Sequence, residues 1–194
     1  LTVDNPNFRK TYSILVTDAA GAPVEGAEIS LRAVPNNDVG FFKGEWVTYL
    51  DGPALKWKQV YRVEDPNEDS GYREVDGVYP CPNEDQNYSG IIDSEKDLNG
   101  NGELDPGNLV TFSDREPVTD ETGFAIVDLI YPQSYARWAQ FNFIATIKVD
   151  GTESRSDVTF VLPANLEDIN NGEGPAPSAN PSPFGAYEGC DNTN

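Results

Sequence analysis

The chain has 194 residues, with 33 Asp and Glu against 13 Lys and Arg, no His, no Met and two Cys, and a formal net charge of −20. That balance excludes a basic face for nucleic-acid phosphates and disfavours attachment to an anionic membrane surface. The lack of His excludes imidazole-based triads, zincin motifs and haem ligation, and two Cys with carboxylates are a poor zinc set.

No run of about 20 apolar residues occurs, so no membrane insertion is expected. Leu1 opens on a polar segment, where no signal peptide is read, so an exported chain would have lost its leader.

In chain order, Tyr12 to Asp18 alternates, with Tyr12, Ile14 and Val16 on one face, and predicts a strand. Ala19-Ala20-Gly21-Ala22-Pro23 predicts a turn. Ala27 to Val34 predicts a second strand facing inward through Ala27, Ile29, Leu31 and Ala33. Leu109 to Phe112 is a short candidate strand, and Thr119 to Gly123 a turn. Phe124 to Tyr131 and Gln140 to Val149 alternate clearly, Asp150-Gly151 offers a hairpin turn, and Ser156 to Leu162 closes the series. Ser134 to Gln140 predicts one helical turn at most. Many short alternating strands imply an all-β antiparallel sandwich.

Two stretches lack that pattern. Residues 39–108 read as a long acidic insertion that starts rich in aromatics (Phe41, Phe42, Trp46, Tyr49, Trp57, Tyr61), and residues 164–194 as an extended Pro/Asn/Gly-rich tail. The expected layout is a sandwich over 1–163 with that insertion, calcium loops at 85–108, and the tail.

The segment Val16-Thr17-Asp18-Ala19-Ala20-Gly21-Ala22-Pro23-Val24-Glu25-Gly26-Ala27 resembles the opening of bacterial Ig-like domains of group 1, the invasin/intimin type. Thr119-Asp120, Gly123-Phe124-Ala125 and Val158-Thr159-Phe160 resemble its closing half. The resemblance implies an Ig-like extracellular sandwich in an adhesin or envelope protein, with no enzymatic activity.

Within the insertion, Asp85 to Lys96 and Asp97 to Asn108 are two consecutive 12-residue units. Each has oxygen side chains at the first, third, fifth and ninth places, Gly at the sixth and an aliphatic residue at the eighth. This matches the EF-hand type of calcium loop and resembles thrombospondin type 3 repeats. Calcium takes about 6–8 oxygens, and alternate places on a tightly wound loop aim side chains at one centre. The candidate ligands are Asp85, Asn87, Ser89, Ile91 (main chain), Asp93 and Glu95 in the first loop, and Asp97, Asn99, Asn101, Glu103 (main chain) and Asp105 in the second. The twelfth place, usually a bidentate Glu, holds Lys96 and Asn108, which predicts weak binding of roughly 10⁻⁴–10⁻³ M. From Glu64 to Asp105 thirteen acids stand against Arg73 and Lys96, so cations would relieve local repulsion.

Cys81 and Cys190 allow one disulfide, expected for an exported chain. The functional expectation is a non-enzymatic structural or adhesive module at the cell surface, with calcium as cofactor and other protein domains or copies of itself as partners. Two alternatives remain: a carbohydrate-binding module using Trp46, Tyr49, Trp57 and Tyr61, and a filament subunit with exchanged termini.

Overall fold

Alternation of apolar and polar residues drives most of this chain into strands, because a period of two puts one face of each strand into a core. The computed structural model describes residues 2–4, 6–92, 96–149 and 152–194. The strands are β1 (Thr2–Asp4), β2 (Asn7–Leu15), β3 (Ile29–Pro35), β4 (Phe41–Lys43), β5 (Glu45–Asp51), β6 (Ala54–Glu64), β7 (Tyr72–Asp76), β8 (Tyr79–Cys81), β9 (Thr111–Phe112), β10 (Phe124–Pro132), β11 (Gln140–Val149) and β12 (Thr152–Val161). A 3-10 turn, Gln133–Tyr135, and one short helix, α1 (Leu166–Ile169), complete the described elements. Among the described residues no helix is long and apolar enough to cross a membrane.

The fold is all-β, and the chain gathers into two compact units. The first comprises Leu1–Val34, Val110–Tyr131 and Asn142–Phe160. It is a sandwich of two sheets, ordered β1-β2-β10-β9 and β12-β11-β3. Val16, Ala27, Ile29, Leu31, Ala125, Val127 and Phe143 form its buried core, flanked by Tyr12, Ile14, Phe112 and Phe160.

The strands predicted from alternation are all present, with shifted ends. β2 starts earlier than predicted because Phe8 is buried edge-on against Tyr131, and Val3 of β1 pairs with Phe8. The hairpin turn expected at Asp150-Gly151 lies outside the described residues.

Two turns of this unit are held by their acids. Asp18 Oδ1 accepts from the main-chain N–H of Ala20 and Ala22, both at 2.9 Å. Asp120 Oδ1 accepts from Thr122 N at 2.8 Å, Thr122 Oγ1 at 2.6 Å and Phe124 N at 3.1 Å, which holds its carboxyl below the usual range. Gly123 closes that turn at φ +78°, and a Cβ there would lie 2.7 Å from Val16 O. Only Gly satisfies both demands.

The second unit comprises Pro35–Leu109, Pro132–Phe141 and Val161–Asn194. The stretch read as strand-poor, 39–108, holds five strands. β5, β6 and β7 form an antiparallel meander, and Asp51 pairs with Ala54 across Gly52-Pro53. Gly52 at φ +61° followed by Pro suits a two-residue hairpin loop with Gly first. β4 pairs with β8, and Phe41 bridges to Ala139. The core is aromatic: Phe41, Phe42, Trp46, Trp138 and Phe184 pack with Cys81.

The tail is packed rather than loose, with Ala164, Ser182, Phe184 and Ala186 buried. All three tryptophans donate their indole N–H to it: Trp57 to Asn171 O at 3.1 Å, Trp46 to Ser178 Oγ at 2.9 Å and Trp138 to Ala179 O at 2.9 Å. The Asn180 carboxamide bonds both main-chain groups of Trp46, accepting from its N–H at 2.8 Å and donating to its C=O at 2.9 Å. It thereby takes the place of a neighbouring strand for a buried segment whose main-chain groups need partners.

Residues 186–188 run beside β6 in a parallel bridge, Arg62 with Tyr187. The Arg62 guanidinium pairs with the Glu45 carboxylate and stacks 4.3 Å from the Tyr72 ring. The disulfide Cys81–Cys190 ties the tail to β8, with Cα atoms 5.7 Å apart.

Candidate metal centre

Both 12-residue units lie in the second unit of the fold, and their described parts wind the same way. At the first place, Asp85 Oδ1 and Oδ2 accept from Ser89 N and Gly90 N, each at 2.8 Å. Asp97 Oδ1 and Oδ2 accept likewise from Asn101 N at 3.1 Å and Gly102 N at 3.0 Å. At the third place, Asn87 Oδ1 accepts from Ser89 N at 3.1 Å and Asn99 Oδ1 from Asn101 N at 3.0 Å. At the fifth, Ser89 Oγ accepts from Ile91 N at 3.3 Å and Asn101 Oδ1 from Glu103 N at 2.7 Å.

The backbone repeats as well. The fourth place is left-handed in both loops, Tyr88 at φ +55° and Gly100 at +69°, and so is the sixth, Gly90 at +70° and Gly102 at +77°. Short Asx turns alternating with left-handed residues coil the chain tightly and point alternate side chains to one side.

In the second loop the ninth place closes the coil. Asp105 Oδ2 accepts from Asn99 Nδ2 at 2.8 Å and from Asn101 Nδ2 at 3.0 Å. Asp105, Asn99 and Asn101 therefore already converge. Burial raises the Asp105 carboxyl above its ordinary value, the two amides oppose that, and Glu103 and Asp97 add repulsion.

In the first loop, Asp85, Asn87, Ser89 and Ile91 are brought together, whereas Asp93 and Glu95 lie outside the described residues. Among the described residues no three acids or thiols cluster as a metal-binding group. The side-chain donors of the second loop are accordingly two carboxylates, Asp97 and Asp105, and two carboxamides, Asn99 and Asn101. Oxygen donors of this kind fit a hard cation: Asn99 and Asn101 would turn their amide oxygens toward it, and the ion would take over the neutralising role their N–H groups play at Asp105.

Three residues that carry this segment were not singled out from sequence. Glu84 is 1% exposed, and its Oε1 and Oε2 accept from Leu98 N and Asp105 N, each at 2.9 Å. It clamps the second loop at two points, and its own N–H donates to Asp105 O at 3.0 Å. Burial raises its carboxyl, two main-chain N–H groups lower it, and Asp105 and Asp97 raise it further. Asn83, also buried, does the same for the first loop, donating to Asp85 O at 2.8 Å and to Asn37 Oδ1 at 3.1 Å. Asn37 Nδ2 in turn donates to Gln86 O at 3.0 Å. No spacing signal marks these residues; the fold alone buries Glu84 and Asn83 and brings Asn37 beside them.

The aromatics considered for sugar binding are largely structural. Trp46 is buried edge-on against Trp138, Trp57 is half-buried with its N–H committed to the tail, and Tyr61 packs on Tyr79. Tyr49, 38% exposed, is the most exposed of the four.

Comparison of the chain with protein-family models, with curated proteins and with solved structures finds no match. The disulfide is present as expected from the two cysteines.

Proposed function

We propose that this chain is a non-enzymatic structural module of an exported bacterial surface protein, stabilised by calcium held in the loops of 85–108. The observation that supports it most is the shared winding of the two consecutive loops, which repeats from hydrogen bonds to φ values. Random acidic loops have no reason to agree at five places, the first, third, fourth, fifth and sixth. The acidic composition supports the same reading, since the charges of Asp97 and Asp105 repel each other and the buried Glu84, a repulsion that a cation would offset. Export is supported by the disulfide, which oxidising compartments favour.

The role of the ion is mechanical rather than chemical. It would fix a segment of low apolar content that cannot order itself by burial. Thermal melts with calcium and with a chelator test the proposal, alongside calorimetric titration with calcium chloride. With free calcium about a hundredfold above Kd, the native state gains about 2.7 kcal/mol. Identical melting points in both conditions, with no binding heat, would sink it.

A further inference from the structure

Lys43 ends β4 with its side chain fully buried, 0% exposed. A buried amine needs partners for every N–H. Its Nζ lies 2.9 Å from Gly189 O, 2.8 Å from Asn192 O and 2.6 Å from Asn192 Oδ1. All three partners are neutral oxygens, and the Asp191 charge acts on Lys43 from beyond them.

The Asn192 carboxamide is oriented at both ends. Its Oδ1 faces the amine, so the carbonyl carbon is one bond from an atom in contact with Nζ. Its Nδ2 donates to Glu188 O at 3.2 Å and to Asp191 Oδ1 at 3.4 Å. The tail that carries it is held independently: Gly44 N donates to Gly185 O, Ser182 N donates to Gly44 O, and Cys81 is bonded to Cys190.

We propose that Lys43 and Asn192 join in an intramolecular amide crosslink, with Asp191 carrying the proton to the departing nitrogen. In the reaction Lys43 first gives up a proton, and the free amine attacks Asn192 Cγ. The Nζ–Cγ bond forms and Oδ1 takes the charge. The intermediate then collapses, the Cγ–Nδ2 bond breaks, and Nδ2 leaves with the protons relayed through Asp191. Lysine ammonium plus carboxamide becomes secondary amide plus ammonium ion, which balances atoms and charge with no oxidant or co-reactant.

Two features favour the step. Burial lowers the Lys43 pKa to about 8, against the opposing pull of Asp191, so roughly a tenth is free base at pH 7. The fold also holds amine and carboxamide in contact before reaction, Nζ 2.6 Å from Asn192 Oδ1, so the attack is intramolecular and needs no encounter step. The product would close the tail a second time, by a bond that reductants leave intact. No calcium ligand takes part, so this proposal and the calcium reading stand or fall separately.

The test is the mass of the full chain, purified, incubated at mildly alkaline pH, reduced and denatured. The expected chain is lighter by one ammonia, and tandem mass spectra of a tryptic digest show the Lys43 peptide joined to the Asn192 peptide. Lys43→Arg and Asn192→Ala each restore the full mass. Asp191→Asn slows the loss about 100-fold, the scale of general acid–base catalysis. An unchanged mass in the parent chain overturns the proposal. So does an ammonia loss that survives in Lys43→Arg, because that marks a succinimide elsewhere. An Asp191→Asn chain that reacts at the parent rate removes Asp191 from the step.

Discussion

Replacing Gly123 by Ala tests the turn chemistry that ties the first unit together. Gly123 sits at φ +78°, where a side chain costs about 1–2 kcal/mol. The new Cβ would also meet Val16 O at 2.7 Å and Pro23 Cβ at 2.9 Å, so the turn must shift. That shift strains two main-chain bonds that converge there, Val24 N to Val16 O at 3.0 Å and Val16 N to Gly123 O at 2.9 Å. Each such bond contributes about 1 kcal/mol net. The sum is a loss of about 3–4 kcal/mol. Gly21→Ala supplies the control: φ is +84°, nothing lies within 4 Å of its Cβ, and the loss should stay at about 1–2 kcal/mol. Urea unfolding of both variants, followed by tyrosine fluorescence or backbone circular dichroism, measures the difference. Equal losses, or a larger loss at Gly21, would refute the claim that close approach rather than backbone angle dominates at Gly123.

Four further outcomes are expected. Glu84→Ala leaves the N–H groups of Leu98 and Asp105 without their acceptor, costs about 2–4 kcal/mol, and weakens calcium binding in a titration. Glu84→Gln, which keeps one oxygen, costs less. Cys81→Ser or Cys190→Ser lowers stability by at most about 4.7 kcal/mol, the loop-entropy value for a closure of about 100 residues, and makes residues after Pro181 sensitive to protease. Asp128, whose carboxyl is held below its ordinary 3.8 by Thr11 Oγ1 and Arg9, stabilises the fold fully above that value and less as pH falls through its lowered one. Asp128→Asn therefore flattens the acid limb of a stability profile taken by urea melts below pH 5, and lowers the profile above pH 5 by a constant amount without changing its slope.

The sandwich was legible because its strands bury one face only. Gln140 to Val149 keeps Phe141 and Phe143 buried, and that alternation is visible in the letters. β6 escaped notice for the opposite reason. Its residues alternate Leu55, Trp57, Gln59, Tyr61 with Lys56, Lys58, Val60, Arg62, and most are half-buried on both faces. Lysine and arginine stems cover apolar surface there, so composition mimics an irregular acidic segment. The tail was illegible because indole N–H groups and the Asn180 carboxamide hold it, and these have no period. The winding of the two loops in 85–108 was legible because Gly and Asx residues at fixed spacing impose it. Glu84 was not, since its importance rests on burial by residues remote in sequence.

The placing of the three indoles has an optical consequence. Trp46, Trp57 and Trp138 all belong to the second unit, while the first contains Tyr and Phe but no Trp. Emission excited at the red edge of the absorption band therefore reports one unit alone. Because each indole N–H bonds the tail, its colour and intensity register whether that segment is seated. The molecule carries its own spectroscopic gauge for the unit that holds the acidic loops, with no label added.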